Sequence, residues 1–246
     1  NNADVEYKNV TAKIEYDPTD RLHTRFRAGH FTEARTNAKV GELNDADWTT
    51  FSGTVRAMLP DNSTVQGQLF ADNEESHFNF LAVSNAAAAR NFVRLATDQR
   101  VPVDGLGGSA QWTKVFGTSH VFSAGTDLRK VDGDSQEDAY VAGTPAVPGP
   151  DGVTLPATLS VKRISGGTQQ SLGVFVSDVY TPMPKLVLTL SGRVDRWKNY
   201  DGHNLETTVS TGLPTANNRA SIPDRDDTVF SPRVAALVHV TDKITT

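Results

Sequence analysis

The sequence contains no cysteine, so it has no disulfide scaffold, no cysteine-ligated zinc site and no thiol nucleophile. Only 37% of its 246 residues are hydrophobic. No apolar run approaches the roughly 20 residues that a membrane-spanning helix needs. The 24 lysines and arginines are outnumbered by 29 aspartates and glutamates and form no basic stripe, which argues against a nucleic-acid partner.

Alternation of apolar and polar residues is the dominant pattern in this sequence. Near the start, Val10, Ile14 and Tyr16 alternate with threonine, lysine and glutamate. The same period of two recurs in residues 22–29, 51–59, 106–112, 122–128, 186–195 and 234–240. This period is typical of β-strands with two different faces, so the sequence predicts an all-β fold.

The connections between the predicted strands alternate between short turns and long polar loops. Short turns are predicted at 17–20, 60–63, 116–118, 181–185 and 241–243, and long loops at 30–47, 73–101, 131–167 and 199–227. If the strands run up and down, all the short turns lie at one end of the sheet. Outer-membrane β-barrels sort their connections in this way, whereas soluble sandwiches do not. The predicted strands, about 10 residues each, also suit the hydrocarbon layer.

The second face of the predicted strands carries many charged side chains. A dry core does not tolerate them, but a water-filled barrel lumen does. We therefore expect the apolar face to contact lipid and the charged face to line the lumen. The predicted lumen-facing residues are Arg25, Arg27, Arg193, Asp195 and Arg233.

The aromatic residues fit this arrangement in part. Tyr16, Trp112 and Tyr180 share the parity of the apolar face and lie near short turns, as an interfacial girdle requires. Trp48 and Trp197 do not follow this pattern. For these two residues the sequence leaves open a bulge that shifts the register or a place in the loops.

Several stretches resemble the barrel of TonB-dependent outer-membrane receptors. They are residues 106–112 (LGGSAQW), 172–178 (LGVFVSD), 188–197 (LTLSGRVDRW) with 199–201 (NYD), and 230–235 (FSPRVA) followed by 240–243 (VTDK). The similarity is clear over residues 100–246. The first hundred residues share the alternation pattern of the family more than its sequence motifs. The resemblance implies an antiparallel up-and-down transmembrane barrel of about 22 strands. Residues 1–246 would form one partial barrel domain of about ten strands.

The resemblance also implies a function and a set of partners. It implies TonB-energised uptake, across a Gram-negative outer membrane, of a scarce ligand such as an iron–siderophore complex, haem, cobalamin or a sugar. The implied partners are outer-membrane lipid, a plug domain of the same full-length chain, TonB, and a small-molecule or metal-chelate ligand. We expect the plug, the TonB box and the closing strands to lie outside this sequence.

The sequence predicts no catalytic, cofactor-binding or metal-binding constellation, so we do not expect an enzyme. The glycine cluster at 105–109 lacks the Lys-Ser/Thr ending of a phosphate loop, and the 6 histidines contain no pair at zinc-ligand spacing. Asp132, Asp134 and Asp138 depart from the calcium-loop pattern, and we expect them in a solvated loop. One alternative stays open, a secreted all-β adhesin or glycan-binding module whose apolar faces pack together in water.

Overall fold

The computed structural model describes residues 3–37, 39–83, 92–144, 146–241 and 244–245. Every regular element in these ranges is a β-strand, and the strands form one eleven-stranded sheet. They are β1 (Ala3–Thr19), β2 (Leu22–Asn37), β3 (Leu43–Met58), β4 (Thr64–Val83), β5 (Val93–Phe116), β6 (His120–Ala142), β7 (Ala157–Met183), β8 (Leu186–Thr208), β9 (Arg219–Ile222), β10 (Arg225–Thr241) and β11 (Ile244–Thr245). In these ranges, no helix has the length and hydropathy needed to cross a membrane.

Neighbours in the sheet follow one another in the chain. The order is β1 to β8, then β10 and β11, and each pair is antiparallel. The short β9 pairs with β8 beside this path. The up-and-down arrangement of about ten strands that the sequence predicts is thus confirmed, and the described part of the sheet is not closed.

The connections are sorted between the two ends of the sheet, as predicted. At one end, which we call the turn end, the strands are joined by residues 20–21, 59–63, 117–119 and 184–185. At the other, which we call the loop end, the connections run over 38–42, 84–92, 143–156 and 209–218. Adjacent long strands therefore reverse alternately through a short turn and a longer connection.

The turn at residues 59–63 shows how a short connection is held. The Asp61 carboxylate accepts hydrogen bonds from the Ser63 backbone nitrogen (3.1 Å) and hydroxyl (2.6 Å), and Lys114 of β5 contacts it at 2.8 Å. The Lys114 ammonium, with Ser63, lowers the pKa of Asp61 well below its usual range. Asn62 adopts a φ of 59°, a left-handed conformation that asparagine tolerates well. The turn thus links β3 and β4 to the neighbouring β5.

The predicted strand lengths and loop bounds were wrong. Strands β1 to β8 contain 16 to 27 residues, so the predicted loop at 131–167 consists largely of β6 and β7. The expectation of a solvated loop for Asp132, Asp134 and Asp138 is wrong for the same reason, since all three lie in β6. Near the loop end both faces are polar, so the alternation fades although the strand continues.

The register shows which side chains share a face, because antiparallel partners point to the same side of the sheet. One row across β1 to β7 consists of Ile14, Phe26, Gly53, Leu69, Gly108, Leu128 and Leu172. The next row across β1 to β8 consists of Glu15, Arg25, Thr54, Gln68, Ser109, Asp127, Gly173 and Asp195. We call the two sides the apolar face and the polar face.

In the described ranges, no second layer covers the apolar face of the sheet. Among the described residues, Val93 is the one hydrophobic side chain that is buried. Leu69, Leu190 and Val234 expose 71%, 52% and 77% of their surface. A soluble sandwich would enclose these side chains between two sheets. The exposed apolar face is instead typical of a surface that contacts the hydrocarbon chains of lipid.

Aromatic residues gather on the apolar face near the turn end. Trp112, Phe116 and Phe122 form edge-on contacts with ring centroids 6.0 to 6.4 Å apart. Close by, Tyr180 stacks on His120 with centroids 4.3 Å apart. This cluster occupies the position that an interfacial girdle takes in a membrane barrel.

Leu190→Arg should impair assembly, because it places a charge on the apolar face. Position 190 pairs with Val234 on the apolar side of β10. We expect a loss of about 2 to 4 kcal/mol in the free energy of folding into vesicles, as for arginine at the bilayer midplane. Thr189→Arg is the matched control, since position 189 lies on the polar face, and it should cost far less. Equal losses for the two variants in urea titrations would contradict the facing.

Candidate functional site

The five predicted lumen-facing residues all lie on the polar face. Arg25 and Asp195 belong to the polar row described above, and Arg27 and Arg193 lie two residues further along the same strands. Arg233 pairs with Ser191, which has the same parity. The structure therefore brings the five side chains to one side of the sheet, distributed from β2 to β10.

Arg193 forms the center of an ion network on this face. Its guanidinium contacts Asp127 of β6 at 2.8 and 3.0 Å and Asp195 of its own strand at 2.6 Å. The link between β8 and β6 crosses β7 at Gly173, where an added Cβ would lie 1.9 Å from the Arg193 Nη2. Glycine at this position thus makes room for the guanidinium. The sequence pattern also assigns Asp127 to the charged face, because it alternates with Leu128.

The other predicted arginines differ in their surroundings. Arg25 pairs with Glu15 across β1 and β2, at 2.9 Å. Within the described residues, the side chains of Arg27 and Arg233 make no hydrogen bond or ion pair. The polar face therefore combines side chains that neutralise each other with side chains whose charge is not compensated by the wall.

Strands β1 to β4 form a pocket of about 460 Å³ that lies mainly on the polar face. Its lining includes three aromatic residues of the polar face, Phe31, Trp48 and Phe70, together with Arg27 and Asp72. We call it the aromatic pocket. Of these residues, the sequence analysis selected only Arg27 as a site residue. The three aromatic residues could have been found from their parity, because each of three adjacent strands carries one aromatic side chain on the polar face.

Trp48 and Trp197 lie within regular strands, so both predicted explanations for their parity were wrong. Trp48 pairs with Phe31 and Glu74, and Trp197 pairs with Ser171 and Asp227, without a register shift at either tryptophan. Both side chains belong to the polar face. They broke the predicted pattern because the polar face also contains aromatic residues.

A second ion network lies near the loop end. Arg163 of β7 contacts Glu137 of β6 and Glu206 of β8, each at 2.6 Å. Glu206 is nearly buried and also accepts hydrogen bonds from Thr215 (2.5 Å) and Asn217 (3.2 Å) of the 209–218 connection. The network therefore fastens this connection to the sheet.

The acidic residues of β6 are each paired with a different partner. Asp132 accepts a hydrogen bond from Thr168, Asp134 contacts His203 at 3.3 Å, and Asp138 contacts Lys162 at 3.7 Å. In the described parts of the chain, no group of three or more histidine, aspartate or glutamate side chains is arranged to hold a metal ion.

The comparison with protein families gives a match over residues 1–246, to the family described as TonB dependent receptor-like, beta-barrel. The chain belongs to this family. The family is one of receptors rather than enzymes. A search of curated proteins gave no match.

Solved structures of TonB-dependent receptors share the fold of this chain. The copper transporter OprC superposes with a TM-score of 0.72 at 15% identity, over 97% of this chain and 35% of that one. FpvA of P. aeruginosa, bound to a heterologous pyoverdine with iron, gives 0.71 at 12%, over 97% and 34%. The E. coli ferric-catecholate import receptor Fiu gives 0.68 at 12%, over 98% and 45%. The chain thus spans between a third and a half of these receptors.

Arg193→Gln should weaken the barrel wall modestly. Because the Arg193 side chain is 36% exposed, we expect its loss to lower the free energy of unfolding by no more than about 1 kcal/mol. Gly173→Ala should give a similar loss, since its methyl group takes the place of the guanidinium. Arg233→Gln, which removes an unpaired arginine of the same receptor face, serves as the control. Urea unfolding in vesicles measures the three variants, and equal stability of all of them would refute the network's role.

Acidification should release the 209–218 connection from the receptor sheet. Glu206 lies about 20 residues from the turn end of β8, or about 50 Å for a tilted strand, which is beyond a hydrocarbon core of about 30 Å. Hydrogen bonds from Thr215 and Arg163 lower the pKa of Glu206. A lowered pKa means that the contact is complete above the ordinary glutamate pKa and is lost as pH falls through the lowered value.

Hydrogen exchange of residues 209–218, corrected for the intrinsic rate, measures this release. Protection should stay constant from neutral pH to the ordinary glutamate pKa and then fall at lower pH. Glu206→Gln should exchange faster than the native chain from neutral pH to the ordinary glutamate pKa and lose this dependence, while Asp20→Asn, at the turn end, should behave as the native chain. Protection that is independent of pH in the native chain would show that Glu206 does not hold the connection.

Proposed function

We propose that this chain is a barrel segment of an outer-membrane receptor that takes up a scarce ligand with energy from TonB. The observation that supports this most is the family match over the whole sequence. In the proposed receptor the apolar face contacts lipid, and the polar face, with Arg25, Arg27, Arg193, Asp195 and Arg233, lines a water-filled lumen. An N-terminal plug domain of the full-length chain closes that lumen and carries the TonB box.

The ligand that we propose is a metal chelate or a similar small molecule. Receptors with this fold include transporters for copper, ferric catecholates and ferric citrate. The mixture of paired and unpaired charges on the polar face supports a wall that is wetted and in contact with polar solutes, because unpaired charges are costly wherever water is excluded.

Uptake in cells with and without a functional TonB tests this proposal. The probes are radioactive copper(II), iron(III) catecholate and iron(III) citrate, offered to cells that express the full-length receptor or lack it. We expect uptake of at least one probe to require both the receptor and TonB. Uptake that persists without TonB, or a chain that stays soluble without detergent and melts cooperatively, would contradict the proposal.

A further inference from the structure

The aromatic pocket contains two side chains of opposite charge that are not paired with other residues of the sheet. Within the described residues, neither the Arg27 nor the Asp72 side chain makes a hydrogen bond or an ion pair. Their neighbours behave differently, since Arg25 and Lys13 share Glu15 at 2.9 Å each. Charges that stabilise the wall thus pair with each other, and the two in the pocket do not.

The geometry of the sheet keeps these two charges apart. Arg27 lies on β2 and Asp72 on β4, with Thr50 and Ser52 of β3 between them. Two strand spacings across the sheet, about 10 Å, and two residues along the strand, about 7 Å, separate them, so their Cα atoms lie about 12 Å apart. The Asp72 carboxylate also leans toward β5, because its Oδ2 lies 2.0 Å from the place where a Cβ of Gly105 would be. Gly105 therefore lets Asp72 turn away from Arg27.

The rings of the pocket are supported by their neighbours. Phe31 stacks on Tyr7 with centroids 6.4 Å apart. Phe70 lies over Gly107, where an added Cβ would be 2.4 Å from the Phe70 ring. Trp48 remains 44% exposed. The pocket thus presents a partly open indole beside two anchored phenyl rings, which is a surface that suits a flat or ring-shaped group.

We propose that the aromatic pocket binds a small zwitterionic molecule that carries a ring and whose opposite charges lie about 12 Å apart. A carboxylate or similar planar anion of the ligand pairs with the Arg27 guanidinium, which can bind it with two parallel hydrogen bonds. A protonated amine donates to the Asp72 carboxylate, and the ring lies against Trp48. This assignment rests on the proposed function, since it needs the polar face to line a water-filled lumen.

Binding of three related tetrapeptides to the full-length receptor in detergent tests the assignment. The probe is Ala-Phe-Ala-Ala, a zwitterion whose ends lie about 12 Å apart when extended. Its N-acetylated form keeps only the carboxylate, and its C-terminal amide keeps only the amine. In calorimetric titrations we expect the zwitterion to bind at least about tenfold more tightly than either modified peptide.

Substitutions should remove one half of this preference at a time. In Arg27→Gln the zwitterion should bind no better than the amide, and in Asp72→Asn no better than the N-acetylated peptide. Arg129→Gln is the matched control, because Arg129 is exposed, lies in the same polar row as Arg27 and stands outside the pocket. That variant should keep the full preference, and the thermal melting temperature should show that all three variants are folded.

Several results would overturn the assignment. They are equal affinity of the native receptor for the three peptides, absence of binding by any of them, and a loss in Arg129→Gln as large as that in Arg27→Gln. The TonB dependence of uptake is measured separately. Charge-selective binding without TonB-dependent uptake would refute the proposed function alone, and TonB-dependent uptake without charge-selective binding would refute the pocket's ligand class alone.

Discussion

The pairing of every backbone amide across neighbouring strands is the constraint on which this structure depends. In hydrocarbon an unpaired N–H or C=O costs several kcal/mol, so a strand can cross only as part of a continuous ladder. Strands β1 to β8 and β10 provide such a ladder with few register shifts. Because side chains alternate along each strand, the same ladder sorts them onto an apolar and a polar face. The absence of a conventional core follows directly.

Glycine extends this constraint into the chemistry of the polar face. Where a strand contains glycine, side chains from the neighbouring strands can lie across it. Gly173 admits the Arg193 guanidinium, Gly107 the Phe70 ring and Gly105 the Asp72 carboxylate. Gly173 thus allows Arg193 to form an ion pair across a strand. Gly105 allows the Asp72 carboxylate to lie away from the oppositely charged Arg27. In our account the first case stabilises the wall and the second leaves groups free for a ligand.

The sequence predicted the fold well because the period of two is strong wherever one face is apolar. Segments such as 10–16 and 186–195 revealed the faces, and the contrast between short and longer connections revealed the two ends. The lengths of the strands could not be predicted, since both faces become polar near the loop end and alternation no longer marks a strand. For the site, parity placed Arg25, Arg193 and Arg233 together on the polar face of the sheet. Which charges pair depends on cross-strand register, so the link from Arg193 to Asp127 and the isolation of Asp72 required the structure.

The most direct test of the account is a cysteine scan along β8, which is simple because the 246 residues contain no cysteine. Single cysteines at positions 188 to 193 in the full-length receptor would be exposed to a water-soluble thiol reagent. In a second set, each cysteine is labelled with a small fluorophore before refolding and exposed to a quencher dissolved in the lipid. We predict that positions 189, 191 and 193 react with the aqueous reagent and that positions 188, 190 and 192 respond only to the lipid quencher. A scan without this period of two, or even-numbered positions shielded from both probes, would contradict a sheet that faces lipid on one side and water on the other.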